Sequence, residues 1–154
     1  MNDYRDRGGY LFDSSVWVAI TFSSHPAHDT AMSALADTTV DRPACFCRAT
    51  QQSFLRLITT PTILAAYGAP AMTNADAVRV HDELRALANV AYRTEPADIE
   101  SAWPKLAARS TASPKLWMDA YLAAFAMKAD LMLVTTDAGF RQFDDLNDTV
   151  LKSK

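Results

Sequence analysis

Ser113–Phe140, SPKLWMDAYLAAFAMKADLMLVTTDAGF, reads as a helix followed by a strand. Between Leu116 and Met127 the one charged residue is Asp119, and apolar side chains run almost all the way round the helix. That is the pattern of a buried helix. Lys128-Ala129-Asp130 turns the chain, Leu131–Val134 is a short apolar strand, and Thr135-Thr136-Asp137 ends it. One carboxylate thus sits in a buried helix and a second follows a buried strand. A buried ionised carboxylate is costly unless it is paired or binds a cation. The sequence beside Asp119 offers no obvious partner, so one is expected from elsewhere in the fold.

Upstream, Gly9-Tyr10-Leu11-Phe12 is another short apolar run, ended by Asp13-Ser14-Ser15 before apolar character resumes from Val16 to Phe22. The reading is strand, polar turn, helix, and it puts Asp13 where Asp137 sits. In open α/β sheets that end of the strands is where ligands bind. For either Asp taken alone, a helix N-cap is the better explanation of the position. Ser24–Asp37 reads as a helix with Pro26 in its first turn. His25 and His28, three apart, read as a solvated helix start and not as metal ligands, because no third ligand lies within reach. Pro43–Arg48 (PACFCR) reads as a central strand, and Phe54, Leu57 and Ile58 form one face of a following helix that Pro61 stops. Gln51 lies one turn before Phe54 and is expected to point inward near the end of the preceding strand, with a surface amide as the alternative.

Tyr67–Asn74 reads as a flexible connection. Thr73 or Asn74 caps a helix running to about Asn89, with Val80, Leu84, Leu87 and Ala88 facing the core. Val90–Tyr92 reads as a strand. Ile99, Trp103 and Leu106 mark a short helix that Pro104 should bend or split. Thr149–Leu151 is a final edge strand. Strand and helix alternate throughout, which predicts an α/β fold: a mainly parallel central sheet layered between helices, in one domain spanning residues 1–154.

Composition narrows the function. The 154 residues are 49% hydrophobic and 21% charged, with 15 Lys+Arg against 18 Asp+Glu and a net charge of -3. A protein that coats nucleic acid through bulk positive charge is therefore not expected. Cys45 and Cys47, with no His nearby, read as free thiols of a reducing compartment. The start MNDYRDRGG carries both signs of charge, and no run approaches the ~20 apolar residues of a membrane helix. A cytoplasmic protein with no membrane segment is expected. The chain's four glycines, Gly8, Gly9, Gly68 and Gly139, form neither a phosphate-cradling loop nor a dinucleotide fingerprint. A Gly-x-Ser-x-Gly elbow is also lacking.

Asp13, Asp119 and Asp137 then need one explanation. If their strands are neighbours, the three converge on one rim, and without a cation at least one carboxyl tends to hold a proton. An oxygen-only cluster suits Mg²⁺ or Mn²⁺. Such an ion supplies an activated water and a clamp for phosphate, as phosphodiester hydrolysis requires. Thr136 or Ser14 is placed to orient a ligand, and Arg48, Arg56, Lys115 and Arg141 are candidates for meeting phosphates.

Four segments together carry a resemblance: Leu11–Trp17 (LFDSSVW), Thr50–Leu57 (TQQSFLRL), Trp117–Ala126 (WMDAYLAAFA) and Val134–Phe140 (VTTDAGF). In order and spacing they resemble the PIN-domain ribonucleases, specifically the VapC-type toxins of toxin–antitoxin pairs, over nearly the whole chain. The resemblance implies a PIN-like three-layer α/β/α fold, Mg²⁺- or Mn²⁺-dependent endonucleolytic cleavage of RNA, a homodimer, and inhibition by a cognate antitoxin protein. It assigns Asp13, Asp119 and Asp137 as metal ligands and catalytic residues. The family's second acidic position, normally Glu, falls on Gln51, which the resemblance places among the catalytic residues because its amide oxygen can still ligate a metal or hold a water, though without negative charge; Gln52 is the fallback alignment and Asp144 a substitute from a later turn. A catalytically weakened PIN domain that binds RNA or a partner without efficient cleavage is the alternative this departure raises. A metal-dependent phosphatase or DNA nuclease would use the same carboxylates.

Overall fold

The computed structural model describes residues 8–153; the charged start Met1–Arg7, on which the expectation of no leader partly rests, lies outside them. Five strands, β1 (Tyr10–Phe12), β2 (Ala44–Phe46), β3 (Val90–Tyr92), β4 (Met132–Thr135) and β5 (Asp148–Val150), form one sheet in the order β3-β2-β1-β4-β5. Every pairing is parallel. The chain builds outward from β1 to β3, then crosses back to place β4 on the other side of β1. The carboxyl ends of β1 and β4 therefore flank the point where strand order reverses, the place where open parallel sheets bind ligands.

Alternation along the strands sends neighbouring side chains to opposite faces. Phe12 and Val134 join a core with Trp17, Phe46, Phe54 and Ile58 under α1 (Ser14–Thr21), α2 (His28–Ala36), α3 (Arg48–Ile58), α4 (Pro61–Ala66) and α5 (Asn74–Arg85). Leu11 and Leu133 join a second core under α6 (Ile99–Ala107) and α7 (Leu116–Ala129). The result is the predicted three-layer α/β/α arrangement. On α7, Leu116, Ala120 and Leu122 through Ala126 are buried, as its nearly continuous apolar sequence requires. The helix ends on Asp130, whose left-handed backbone (φ 56) closes it. No helix among the described residues is long and apolar enough to cross a membrane.

Several sequence expectations shift locally. Helix α2 starts at His28, so Pro26 lies in the turn before it. His25 packs against Tyr67, and His28 Nδ1 meets the Ala19 carbonyl at 2.8 Å, so both imidazoles are structural. Pro61 does end α3, but it also opens α4 at the first helical position, where its missing N–H has no cost. Thr73 caps α5 in a reciprocal box with Asp76. That helix stops at Arg85, which leaves Leu87 and Ala88 exposed instead of facing the core. Pro104 is accommodated inside α6 without splitting it. The carbonyl it deprives of a partner belongs to exposed Glu100.

The tightest aromatic contact in the α1 layer is Trp17 stacked on Phe46, with centroids 3.9 Å apart and planes 8° from parallel. Trp17 Nε1 donates to the Phe12 carbonyl at 3.1 Å, so the ring also ties α1 to β1. Trp17→Ala is expected to cost about 3–5 kcal/mol of unfolding free energy, read from urea denaturation. A loss below about 1 kcal/mol would contradict this packing.

Candidate active site

The helix α1 begins immediately after β1, and Asp13 occupies its N-cap with extended backbone (φ -60, ψ 153). Its side chain makes no capping hydrogen bond, contrary to the simple N-cap alternative. Instead the carboxylate collects hydroxyls. Thr135 Oγ1 donates to Oδ2 at 2.8 Å, Ser15 Oγ donates to Oδ2 at 3.3 Å, and Ser14 Oγ donates to Oδ1 at 3.4 Å. Ser14 in turn accepts from Ser53 Oγ of α3 at 3.0 Å. Burial nevertheless outweighs these donors and pushes the Asp13 carboxyl above its ordinary range.

Thr135 ends β4 fully buried, and its hydroxyl does two jobs. While donating to Asp13, it accepts the Asp137 backbone N–H at 3.0 Å, so one side chain sets the spacing between the two strand-end acids. The sequence reading pointed to Thr136 or Ser14. Ser14 does contact Asp13, and the alternation of β4 adds Thr135, in place of Thr136, as its closer hydroxyl partner. Asp137 caps the 3-10 turn Ala138–Gln142, accepting from the Gly139 N–H at 2.8 Å. This is the cap that the sequence allowed, but the second carboxylate oxygen is engaged elsewhere.

Asp119 lies in the first turn of α7. Its missing partner proves to be Lys115, four residues back, with Nζ 3.6 Å from Asp119 Oδ2. The same ammonium donates to Asp137 Oδ2 at 2.6 Å. The expectation that nothing near Asp119 in sequence would pair with it is thus corrected: the i, i+4 spacing on one helix face supplies the partner. Asp137 is held below its ordinary pKa by the Lys115 hydrogen bond and by the Gly139 N–H. Asp119 goes the other way. Burial lifts its carboxyl, Lys115 opposes that, and the Asp137 and Asp13 charges add to the rise.

All three aspartates line one cleft of about 550 Å³, with Ser14, Ser15, Thr50, Ser53, Arg56 and Lys115 contributing polar groups. Trp103, Trp117, Met118, Tyr121 and Leu122 form its apolar wall. Among the described residues, no three His, Cys, Asp or Glu side chains stand close enough together to enclose a metal ion as they are. A lysine ammonium is the cation set on two of these carboxylates.

Gln51 is buried but does not line the cleft. Arg48 Nη1 donates to its Oε1 at 2.8 Å, and its Nε2 lies 3.1 Å from His81 Nε2. Because the amide oxygen is already an acceptor, Gln51 Nε2 must be the donor to a neutral His81. Burial lowers the His81 pKa, consistent with that neutral form. Gln51 thus joins α3 to α5, and α3 lines the cleft with Ala49, Thr50, Ser53 and Arg56, of which Ser53 reaches Asp13 through Ser14. Gln52 and Asp144 are exposed and absent from the cleft lining, as is Arg141. Arg48 lies over the Tyr92 ring. Of the cations proposed for phosphates, Arg56 and Lys115 remain in the cleft.

These elements and their order are those of a known class, and the chain belongs to the PIN-domain family, whose PIN domain pattern matches residues 10–146. Within that family it is 44% identical over 140 residues to ribonuclease VapC41 of Mycobacterium tuberculosis, in strains CDC 1551 / Oshkosh and ATCC 25618 / H37Rv. The match covers 86% of this chain and 92% of that protein, which puts the chain among the VapC-type members. The fold is also that of VapBC2 from Rickettsia felis bound to a DNA fragment from their promoter, with a TM-score of 0.65 at 10% identity over 93% of this chain and 98% of the other. Mycobacterium tuberculosis VapC20, a Sarcin-Ricin loop cleaving toxin, gives a TM-score of 0.61 at 18% identity over 87% and 94%.

The paired shifts fix the sign of the pH response. Asp137, with a depressed pKa, adds stability above its ordinary value near 3.8 that is lost as pH falls through its lower folded value. Asp13 and Asp119, with raised values, stabilise below 3.8, and that contribution is lost as pH rises through their folded pKa values. Lys115→Met is expected to return the Asp137 carboxyl toward 3.8 and to steepen the stability lost as pH rises. Carboxyl carbon NMR titration with thermal melts across pH checks both effects. An unmoved Asp137 titration would contradict the Lys115 contact.

Proposed function

We propose that this protein is a metal-dependent endoribonuclease, the toxin of a toxin–antitoxin pair, with Asp13, Asp119 and Asp137 as its catalytic carboxylates. The observation that carries the reading is the convergence of these three side chains, from three separate segments, on one cleft at the strand-order reversal. The 44% identity to a protein named as a ribonuclease supports RNA as the substrate. The likeness of fold to toxin–antitoxin structures supports a cognate antitoxin as partner. Homodimer formation is part of the same proposal.

The three carboxylates and the hydroxyls of Ser14 and Ser15 beside them are hard oxygen donors, the set that suits a divalent cation such as Mg²⁺ or Mn²⁺. Burial raises the carboxyls of Asp13 and Asp119, the neighbouring carboxylates add to the rise at Asp119, and an ammonium already sits on Asp137; a cation among the three would favour their ionised forms. Asp13, Asp119 and Asp137 would hold the ion, directly or through water, once Lys115 swings aside. When bound, the ion supplies a lowered pKa for water and charge neutralisation at phosphate. The remaining work belongs to side chains. Thr135 and Ser15 fix the Asp13 carboxylate, Gly139 fixes Asp137, and Lys115 and Arg56 meet phosphate oxygens at the cleft mouth. One of the three carboxylates would also help accept the proton of the attacking water.

Labelled structured RNAs incubated with antitoxin-free protein in Mg²⁺, Mn²⁺ or EDTA provide the test. Asp119→Asn is expected to reduce metal-dependent cleavage roughly 10²-fold or more. Cleavage that persists equally in this variant would refute the assignment.

One observation favours the weakened alternative: three carboxylates line the cleft, and none comes from α3. A Glu placed at position 51 would meet Arg48 and His81 instead of the aspartates. Gln51→Glu is therefore expected to leave cleavage unchanged while raising the His81 pKa, which proton NMR would detect. A large gain in cleavage would instead establish the weakened reading.

A further inference from the structure

We propose that the apolar wall of the cleft, centred on Trp117, is a stacking subsite for an unpaired nucleobase of the RNA, beside the phosphate addressed by the aspartates. This rests on the ribonuclease reading above and adds how the substrate is gripped.

Trp117 is 50% exposed and Met118 60% exposed, on consecutive residues at the start of α7 immediately before Asp119. The other large exposed apolar side chains among the described residues, Met32, Val40, Val78 and Leu87, lie outside this cleft. Large apolar side chains are thus left in water where the carboxylates are. The Trp117 ring is also braced. Trp103 of α6 contacts it edge to face at 5.6 Å, and Trp103 contacts Tyr121 in the same manner at 6.3 Å. The edge contact from Trp103 supports the indole while half of its surface stays open to a second ring.

The rest of the cleft selects the occupant. Lys115 and Arg56 offer charge to phosphates, and the aspartates suit a cation on the scissile phosphate. Because the aspartates and Trp117 line the same cleft, a chain with a phosphate at the aspartates brings a neighbouring base within reach of that wall. Stacking on an aromatic ring needs an exposed base face, so the base must be unpaired, and the contact tolerates any sequence. The same cleft thereby divides its work: carboxylates and cations address the backbone, and the tryptophan addresses single-strandedness.

The experiment uses the full chain carrying Asp119→Asn, to slow cleavage during the binding measurement, with fluorescein-labelled oligoadenylate and an abasic oligomer of the same length as probes. Oligoadenylate is expected to bind more tightly than the abasic oligomer. Adding Trp117→Ala should weaken oligoadenylate about tenfold, to the abasic level, while Trp117→Phe keeps most of the affinity. Equal binding of the two oligomers, or no effect of Trp117→Ala, overturns the subsite. So does a Trp117→Ala variant that loses a bound antitoxin while its RNA affinity is unchanged, since the wall then belongs to a protein partner. Cleavage by protein with native Asp119 is measured in parallel. If cleavage persists and only the tryptophan prediction fails, the subsite alone falls. If neither cleavage nor binding of either oligomer is seen, the ribonuclease reading falls with it.

Discussion

Parallel hydrogen bonding between Tyr10–Phe12 and Met132–Thr135 brings two chain-distant aspartates to the same rim, and the site follows from that pairing. Each strand is short and buried, and each delivers a carboxylate just past its end. The register sets Phe12 beside Val134, so that Thr135 stands at the level of Asp13. One hydroxyl can then donate to Asp13 while accepting from the Asp137 backbone. A slip of one residue would turn Thr135 to the other face and undo the arrangement.

Convergence of like charges has an energetic consequence that the side chains display. Asp13, which has hydroxyl partners but no cationic one, is pushed toward its protonated form by burial. Asp137, with an ammonium against it, is pushed the other way, while Asp119 is raised by burial and by the neighbouring carboxylates despite Lys115. Lys115 thus reports where positive charge is most needed. Its side chain is largely exposed, so it can leave with little loss of packing. This combination, a carboxylate cluster short of charge beside a removable ammonium, suits the proposed exchange of the lysine for a divalent ion.

Much of this was legible in the sequence because it depends on local chemistry. Nearly unbroken apolar character marked α7, and polar residues after short apolar runs marked the ends of β1 and β4. Those signals place Asp13, Asp119 and Asp137 without any knowledge of packing. Gln51 was harder. Its inward direction could be read from its spacing to Phe54, but not which inward neighbour it would meet. That neighbour is His81, thirty residues on. The pairing of Lys115 with Asp119 was present in the i, i+4 spacing, but its 2.6 Å contact with Asp137 depends on how α7 meets β4. The Pro61 signal was ambiguous by nature, since the same ring that ends one helix is well suited to start another.

If the three aspartates form one cation site, Lys115 is the charge that an incoming ion displaces. A crystal of the protein soaked in Mn²⁺, with anomalous scattering measured at the manganese edge, decides this. One anomalous peak is expected among Asp13, Asp119 and Asp137, with the Lys115 ammonium moved off Asp137. A peak elsewhere, or no peak with Lys115 still on Asp137 at saturating Mn²⁺, would contradict it.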